Sequence, residues 1–192
     1  MGTPIKGKKF LKFVDELAEE LYKPVTRKFK RRRVHVNGID EIWAADLIDM
    51  QAFSKDNNGI KYLISVIHIF SKFAWIIPLK QKTGQKVAKV FSRILRERRP
   101  SKMWVDKGRE FYIKDYQKLA QVYSTENEDK SCVIERFNRT ITEKMFMYFS
   151  ANNTRKFVDA LDLFVDQYNN TIHSSIKMTP KEAIRMENEN IV

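Results

Sequence analysis

Apolar residues recur along this chain in two different periods, and the change from one to the other outlines its elements. Ile42 to Phe53 is mostly apolar, broken by Asp46 and Asp49. A turn rich in Asp, Asn and Gly (Asp56 to Gly59) leads into Tyr62 to Phe70, which is almost wholly apolar. Ser71-Lys72 then connects tightly into Phe73 to Leu79. Three β-rich runs with short links predict an antiparallel meander, and Pro78 near the end of the third suits an edge strand. Helical spacing follows: Val87, Val90, Phe91 and Leu95 predict a helix over 84–98, with Thr83 as its cap and Pro100 as its stop. Lys102 to Asp106 reads as a short strand, 112–121 as a short helix, Val122-Tyr123 as a weak strand and 124–131 as a polar loop. A long helix is expected over 132–149 and another over 155–168. The last helix opens on Thr179-Pro180-Lys181-Glu182, a capping box with proline at N1. The order βββαβαβααα predicts an α/β protein, a mixed sheet flanked by helices.

Charge narrows the partners. The 192 residues carry 36 Lys and Arg against 24 Asp and Glu, a net +12 with a pI near 9.7. That excess points to a polyanion, and nucleic acid is favoured over a membrane because no run approaches the roughly 20 apolar residues of a span. Residues 1–40 hold 11 basic and 5 acidic side chains, half of the net charge. There Phe10, Phe13, Val14, Leu17 and Leu21 recur at helical spacing up to Pro24, and a run including Arg31, Arg32 and Arg33 follows. This divides the chain into a basic N-terminal helix and arm, 1–40, and a core, 41–192. The arm reads as a solvated linker, a phosphate-tracking segment or a nuclear localisation signal. Cys132 is the single cysteine, so no internal disulfide can form and a reducing compartment is expected. One Cys with His35, His68 and His173 scattered along the chain cannot build a structural zinc site.

Candidate chemistry rests on three acids. Asp46 interrupts an apolar strand, where a carboxylate is costly unless a partner or metal compensates it. Asp106 ends the apolar strand Met103-Trp104-Val105 and precedes a Gly-containing turn, the kind of strand end where open α/β sheets place ligands. Glu135 opens a polar stripe with Asn138, Arg139 and Thr142, opposite an apolar stripe of Ile134, Phe137, Ile141, Met145 and Tyr148. Taken one at a time, each acid also has a plain structural reading, as a turn former or a partner for a helix dipole. Asp49 lies three residues after Asp46, on the other face of a period-2 strand, and reads as structural. His68 reads as a packed strand histidine, His173 as a structural hydrogen-bonder and Cys132 as a small residue at a helix start.

Several collinear stretches carry a resemblance: 43–50 (WAADLIDM), 67–75 (IHIFSKFAW), 105–111 (VDKGREF), 123–128 (YSTENE), 133–139 (VIERFNR), 168–175 (YNNTIHSS) and Thr179-Pro180. Together they resemble the DDE-type integrase catalytic core of retroviruses, retrotransposons and especially the Maverick/Polinton transposons. The resemblance implies a ribonuclease-H-like fold with a five-stranded mixed sheet. It implies catalytic, metal-holding roles for Asp46, Asp106 and Glu135 with two Mg²⁺ ions, Mn²⁺ being a possible substitute. It implies 3′-end processing and joining of element DNA to target DNA in the nucleus by a homodimer or higher oligomer. DNA contacts are expected from Asn138, Arg139, Lys107 and Lys130, with Arg31, Arg32 and Arg33 on the arm. Two features depart from the pattern. Only 28 residues separate Asp106 from Glu135 (135 − 106 = 29), fewer than the family's usual interval. The family's zinc and C-terminal domains also have no counterpart in the sequence. The alternative is therefore a catalytically impaired, domesticated DNA- or chromatin-binding module.

Overall fold

A computed structural model describes residues 36–96, 98–105, 121–124 and 132–185, with 188 and 190, all within a compact unit spanning 33–192. Strands β1 (Ile42–Asp49), β2 (Tyr62–His68), β3 (Ala74–Leu79), β4 (Lys102–Val105) and β5 (Gln121–Ser124) form one sheet in the order β3-β2-β1-β4-β5. β1 pairs antiparallel with β2, and β2 with β3; β1 pairs parallel with β4, and β4 with β5. The helices are α1 (Gly84–Ile94), α2 (Cys132–Asn152), α3 (Leu161–Asn169) and α4 (Pro180–Ala183). The expected mixed α/β arrangement is present, with β3 and its Pro78 at a sheet edge. The expected helix over 112–121 lies outside the described residues except for Gln121, which opens β5 instead, and the basic arm lies outside them up to residue 35.

Period-2 alternation in β1 feeds two cores. Ile42 and Ala44 face one side and pack with Ile134, Phe137, Ile141 and Met145 of α2 and with Leu161 and Phe164 of α3. Trp43 and Ala45 face the other side and pack with Val87, Phe91 and Ile94 of α1. A strand buried on both faces this way has to be central, which is why β1 reads as a near-continuous apolar run.

Several element ends differ from the sequence expectation, and each has a local cause. β1 stops at Asp49 rather than running to Phe53, because the Asp49 carboxylate accepts from Gln51 N (2.9 Å) and Gln51 Nε2 (2.8 Å) and the chain turns into a 3-10 helix, Gln51–Asp56. α3 begins at Leu161 rather than 155. Buried Asn57 holds the preceding turn: its Oδ1 accepts from Phe157 N (2.7 Å) and Val158 N (3.1 Å), and its Nδ2 donates to Phe53 O and Arg155 O. α1 ends at Ile94, not 98, and Thr83 occupies its N-cap position without a side-chain hydrogen bond. α2 runs on to Asn152. Phe149 is a buried member of its apolar stripe, while Tyr148 is only partly buried. The capping box at Thr179 is present, with Glu182 N donating to Thr179 Oγ1 at 3.2 Å and Thr179 N to Glu182 Oε2 at 2.9 Å.

Asn169, from the 168–175 stretch, clamps the start of β3. Its Nδ2 donates to Ala74 O (2.9 Å) and its Oδ1 accepts from Ala74 N (3.0 Å). Just before β1 begins, at the same end of the sheet, Asp40 gathers Trp43 Nε1 (3.1 Å), Arg98 Nε (2.9 Å) and fully buried His68, whose Nε2 lies 3.2 Å from Oδ1. Arg98 also donates to Ile184 O (2.7 Å), tying the C-terminal turn to the sheet. Burial alone would raise the Asp40 pKa, but hydrogen bonds from His68 and Arg98 outweigh it and hold the carboxyl below its ordinary range. A carboxyl depressed in the fold stabilises above its unfolded pKa and loses that contribution as pH falls through its folded one. Asp40→Asn is expected to cost roughly 2 kcal/mol at pH 7, measured by urea unfolding. The gap to wild type should narrow as the pH is taken into the acid range.

Candidate functional site

Asp46 sits where the sheet opens. The last described pair of the β1–β4 ladder is Ala45↔Val105, whereas pairing with β2 continues from Asp46↔Ser65 to Asp49↔Tyr62. Asp46 therefore leaves the four-residue overlap with β4 on the face shared by Ala44, the face that α2 covers. Its Oδ1 accepts from Leu47 N at 2.7 Å, its Oδ2 accepts from Asn138 Nδ2 at 2.7 Å, and its backbone carbonyl accepts from Ser65 Oγ at 3.2 Å. The partner that a central-strand carboxylate requires thus includes an amide on α2. Asn138 Oδ1 is buried and has no hydrogen-bond partner among the described residues.

α2 places the other sequence-derived candidates. Ile134, Phe137, Ile141 and Met145 anchor its apolar face in the core. Glu135, one turn before Asn138, is exposed, as is Arg139; Asn138 and Thr142 are half-buried. The expected polar stripe is present, and Asn138 joins it directly to Asp46. Asp106, the residue after Val105, lies outside the described residues, as do Lys107, Lys130, Arg31, Arg32 and Arg33. Among the described residues no group of three or more His, Cys, Asp or Glu is arranged to hold a metal ion. Asp49 is exposed and its carboxylate is engaged by Gln51, in keeping with a structural role. His173 Nδ1 lies 3.0 Å from Ser175 Oγ, also a structural contact.

A basic cluster at the start of α2 was not singled out from the sequence. Lys72 occupies the β2–β3 turn in the left-handed region (φ 62°), and its Nζ donates to Ile69 O. Burial lowers its pKa to about 8, with Arg136 adding repulsion and Cys132 opposing it. His173 is depressed by burial and then by Lys72 and Arg136. Burial pushes Tyr168 up to about 12, against the pull of Arg136. Three basic groups from three segments thus share one neighbourhood. The only sequence signal was the tight Ser71-Lys72 link, since residues 72, 136 and 173 share no periodicity. A cavity of about 410 Å³ lies elsewhere, along edge strand β3 against α1 and α3, lined by Trp75, Pro78, Arg93 and Leu161 among others; neither Asp46 nor Glu135 lines it.

This sheet order, with helices on both faces and an acid on the central strand, is the fold of an integrase-like core. The chain superposes on a chain of the simian T-cell lymphotropic virus intasome with a TM-score of 0.69 at 17% identity, covering 84% of this chain and 60% of that one. The HTLV-2 integrase catalytic core domain in complex with magnesium, in its trimeric form, matches with a TM-score of 0.63 at 15% identity, covering 77% of this chain and 97% of that one. Sequence relatives are transposon-derived. A transposon-derived protein of Caenorhabditis elegans is 30% identical over 143 residues, covering 71% of this chain and 50% of that protein. The transposon Tf2-3 polyprotein of Schizosaccharomyces pombe is 26% identical over 152 residues, covering 74% of this chain and 11% of the polyprotein. The chain spans half or less of the length of these relatives. No family model matches.

The Lys72 environment has a measurable consequence. A lysine whose pKa falls on folding penalises the folded state while charged, so stability should rise with pH between about 8 and the unfolded value. Lys72→Met is expected to add roughly 2 kcal/mol at pH 7, the desolvation relief less one hydrogen bond. Urea unfolding at pH 7 and near pH 10.5 should show that advantage disappear at the higher pH.

Proposed function

We propose that this chain is the catalytic core of an integrase of transposon descent, a metal-dependent polynucleotidyl transferase that processes 3′ ends of element DNA and joins them to target DNA. The observation that carries this reading is the Asn138–Asp46 contact of 2.7 Å, which fixes the strand-borne acid to the helix bearing Glu135. The sequence stretches around Asp46, Asp106 and Glu135 support closeness to the Maverick/Polinton group. The donor set is all oxygen, which suits magnesium, and the buried, unpartnered Asn138 Oδ1 marks a polar place for a hydrated ion beside Asp46. Asp46, Asp106 and Glu135 would hold two Mg²⁺ ions, with Mn²⁺ able to substitute. When bound, such ions activate a hydroxyl nucleophile and stabilise the leaving oxygen of an in-line displacement.

The chain's own residues do the rest. β1 and α2 hold Asp46 and Glu135 on rigid elements, as sub-ångström placement of a reacting phosphate demands. Arg139, Lys107 and Lys130 neutralise phosphates of the DNA end, and Arg31, Arg32 and Arg33 on the 1–40 arm track the backbone and support nuclear entry. Lys72 and Arg136 extend the positive surround. A second copy of the chain is the expected protein partner; the HTLV-2 core has both a dimeric and a trimeric form. No helix among the described residues is long and apolar enough to cross a membrane.

A second reading, an impaired integrase-derived DNA- or chromatin-binding module, is favoured by one feature, the 28-residue interval between Asp106 and Glu135. Joining of a pre-nicked branched DNA in Mg²⁺ or Mn²⁺ separates the two. Wild type is expected to join it, and Asp46→Asn and Glu135→Gln to fall below about 1% of that rate, since losing even an outer-sphere partner of a metal ligand costs 10–100-fold. Salt-sensitive DNA binding with no metal-dependent turnover would favour the second reading.

A further inference from the structure

We infer that Asn138 is a positioning residue with two separate duties: its amide nitrogen fixes the Asp46 carboxylate, and its carbonyl oxygen receives a hydrogen bond from a water of a hydrated divalent cation held there. The inference rests on the metal-dependent reading above and assigns Asn138 a task other than touching DNA.

The amide's orientation follows from electrostatics. Nδ2 lies 2.7 Å from Asp46 Oδ2. Exchanging the two ends of the amide would set a carbonyl oxygen against a carboxylate oxygen, with no proton between them. Asn138 Oδ1 is therefore the buried atom without a partner among the described residues, and an unpartnered buried carbonyl is a net cost to the fold. It can only accept. What belongs opposite it is a donor, and waters polarised by a divalent ion are strong donors. Its place is also apt. Asp46 Oδ1 is already fixed by Leu47 N at 2.7 Å, so the Asn138 contact completes a two-point hold on the carboxylate. Glu135 precedes Asn138 by three residues on the same helix, so the two side chains are neighbours on one face.

Asn138→Leu keeps the volume and removes both the donor and the orphaned acceptor. Two readouts on the whole 192-residue chain test the inference without an activity assay: thermal unfolding in EDTA, and Mn²⁺ titration followed by loss of the free-ion EPR signal. The expected result is a variant that is less stable than wild type in EDTA, because Asp46 Oδ2 loses its amide donor, and that binds Mn²⁺ about 10–100-fold more weakly. Asn138→Ala should show the same loss of affinity, which covers the case in which leucine does not fit. Wild-type Mn²⁺ affinity in the folded variants would overturn the inference while leaving the integrase reading intact. Wild-type protein that takes up no Mn²⁺ at all would overturn both.

Discussion

A carboxylate on the central strand of a sheet cannot be left to itself. Asp46 lies among apolar neighbours on β1, and the fold answers with a peptide N–H from Leu47 and an amide from Asn138 on α2. That second contact joins residues 92 positions apart in sequence, and it is what makes one site of a strand and a helix. The two-sided burial of β1 supports it from below: Trp43 and Ala45 are gripped from the α1 side, Ile42 and Ala44 from the α2 side. The strand cannot slip by one residue without moving Asp46 to the opposite face.

Charge around the site runs in one direction. Lys72, Arg136 and His173 come from three segments to the start of α2; beyond burial, Arg136 lowers the proton affinity of Lys72, and Lys72 and Arg136 lower that of His173. Crowding a half-buried lysine against a second cation weakens a fold in isolation. Under the proposed nucleic-acid reading, a phosphate backbone would offset that repulsion, as the net +12 of the chain would also favour. The Asp40 network takes the opposite course, meeting Arg98 with a carboxylate and ending in a structural clasp.

Much of this was legible in the sequence because it is periodic. The meander, the stripe of Ile134, Phe137, Ile141 and Met145, the edge position of Pro78 and the capping box at Thr179 all follow from local spacing or local hydrogen-bond chemistry. What was not legible depends on side chains meeting across the fold. Asn57 delays the start of α3 by taking the Phe157 and Val158 amides, about a hundred residues away in sequence. Asn169 clamps Ala74, and its motif gave no hint of which backbone it would hold. Within the site, sequence spacing put Asn138 on the polar stripe but could not tell that it would turn toward Asp46 rather than outward. Lys72 was hidden for the same reason, since a lysine in a turn reads as solvated until a helix start and a second cation close over it.

The central claim is that Asp46 and Glu135 share a divalent cation, and a crystal of the chain soaked in Mn²⁺ tests it by anomalous scattering. The account predicts a peak between the two carboxylates, with Asp106 completing the set and a bound water within hydrogen-bonding reach of Asn138 Oδ1. A structure in which Glu135 points away from Asp46 and no ion bridges them would contradict it.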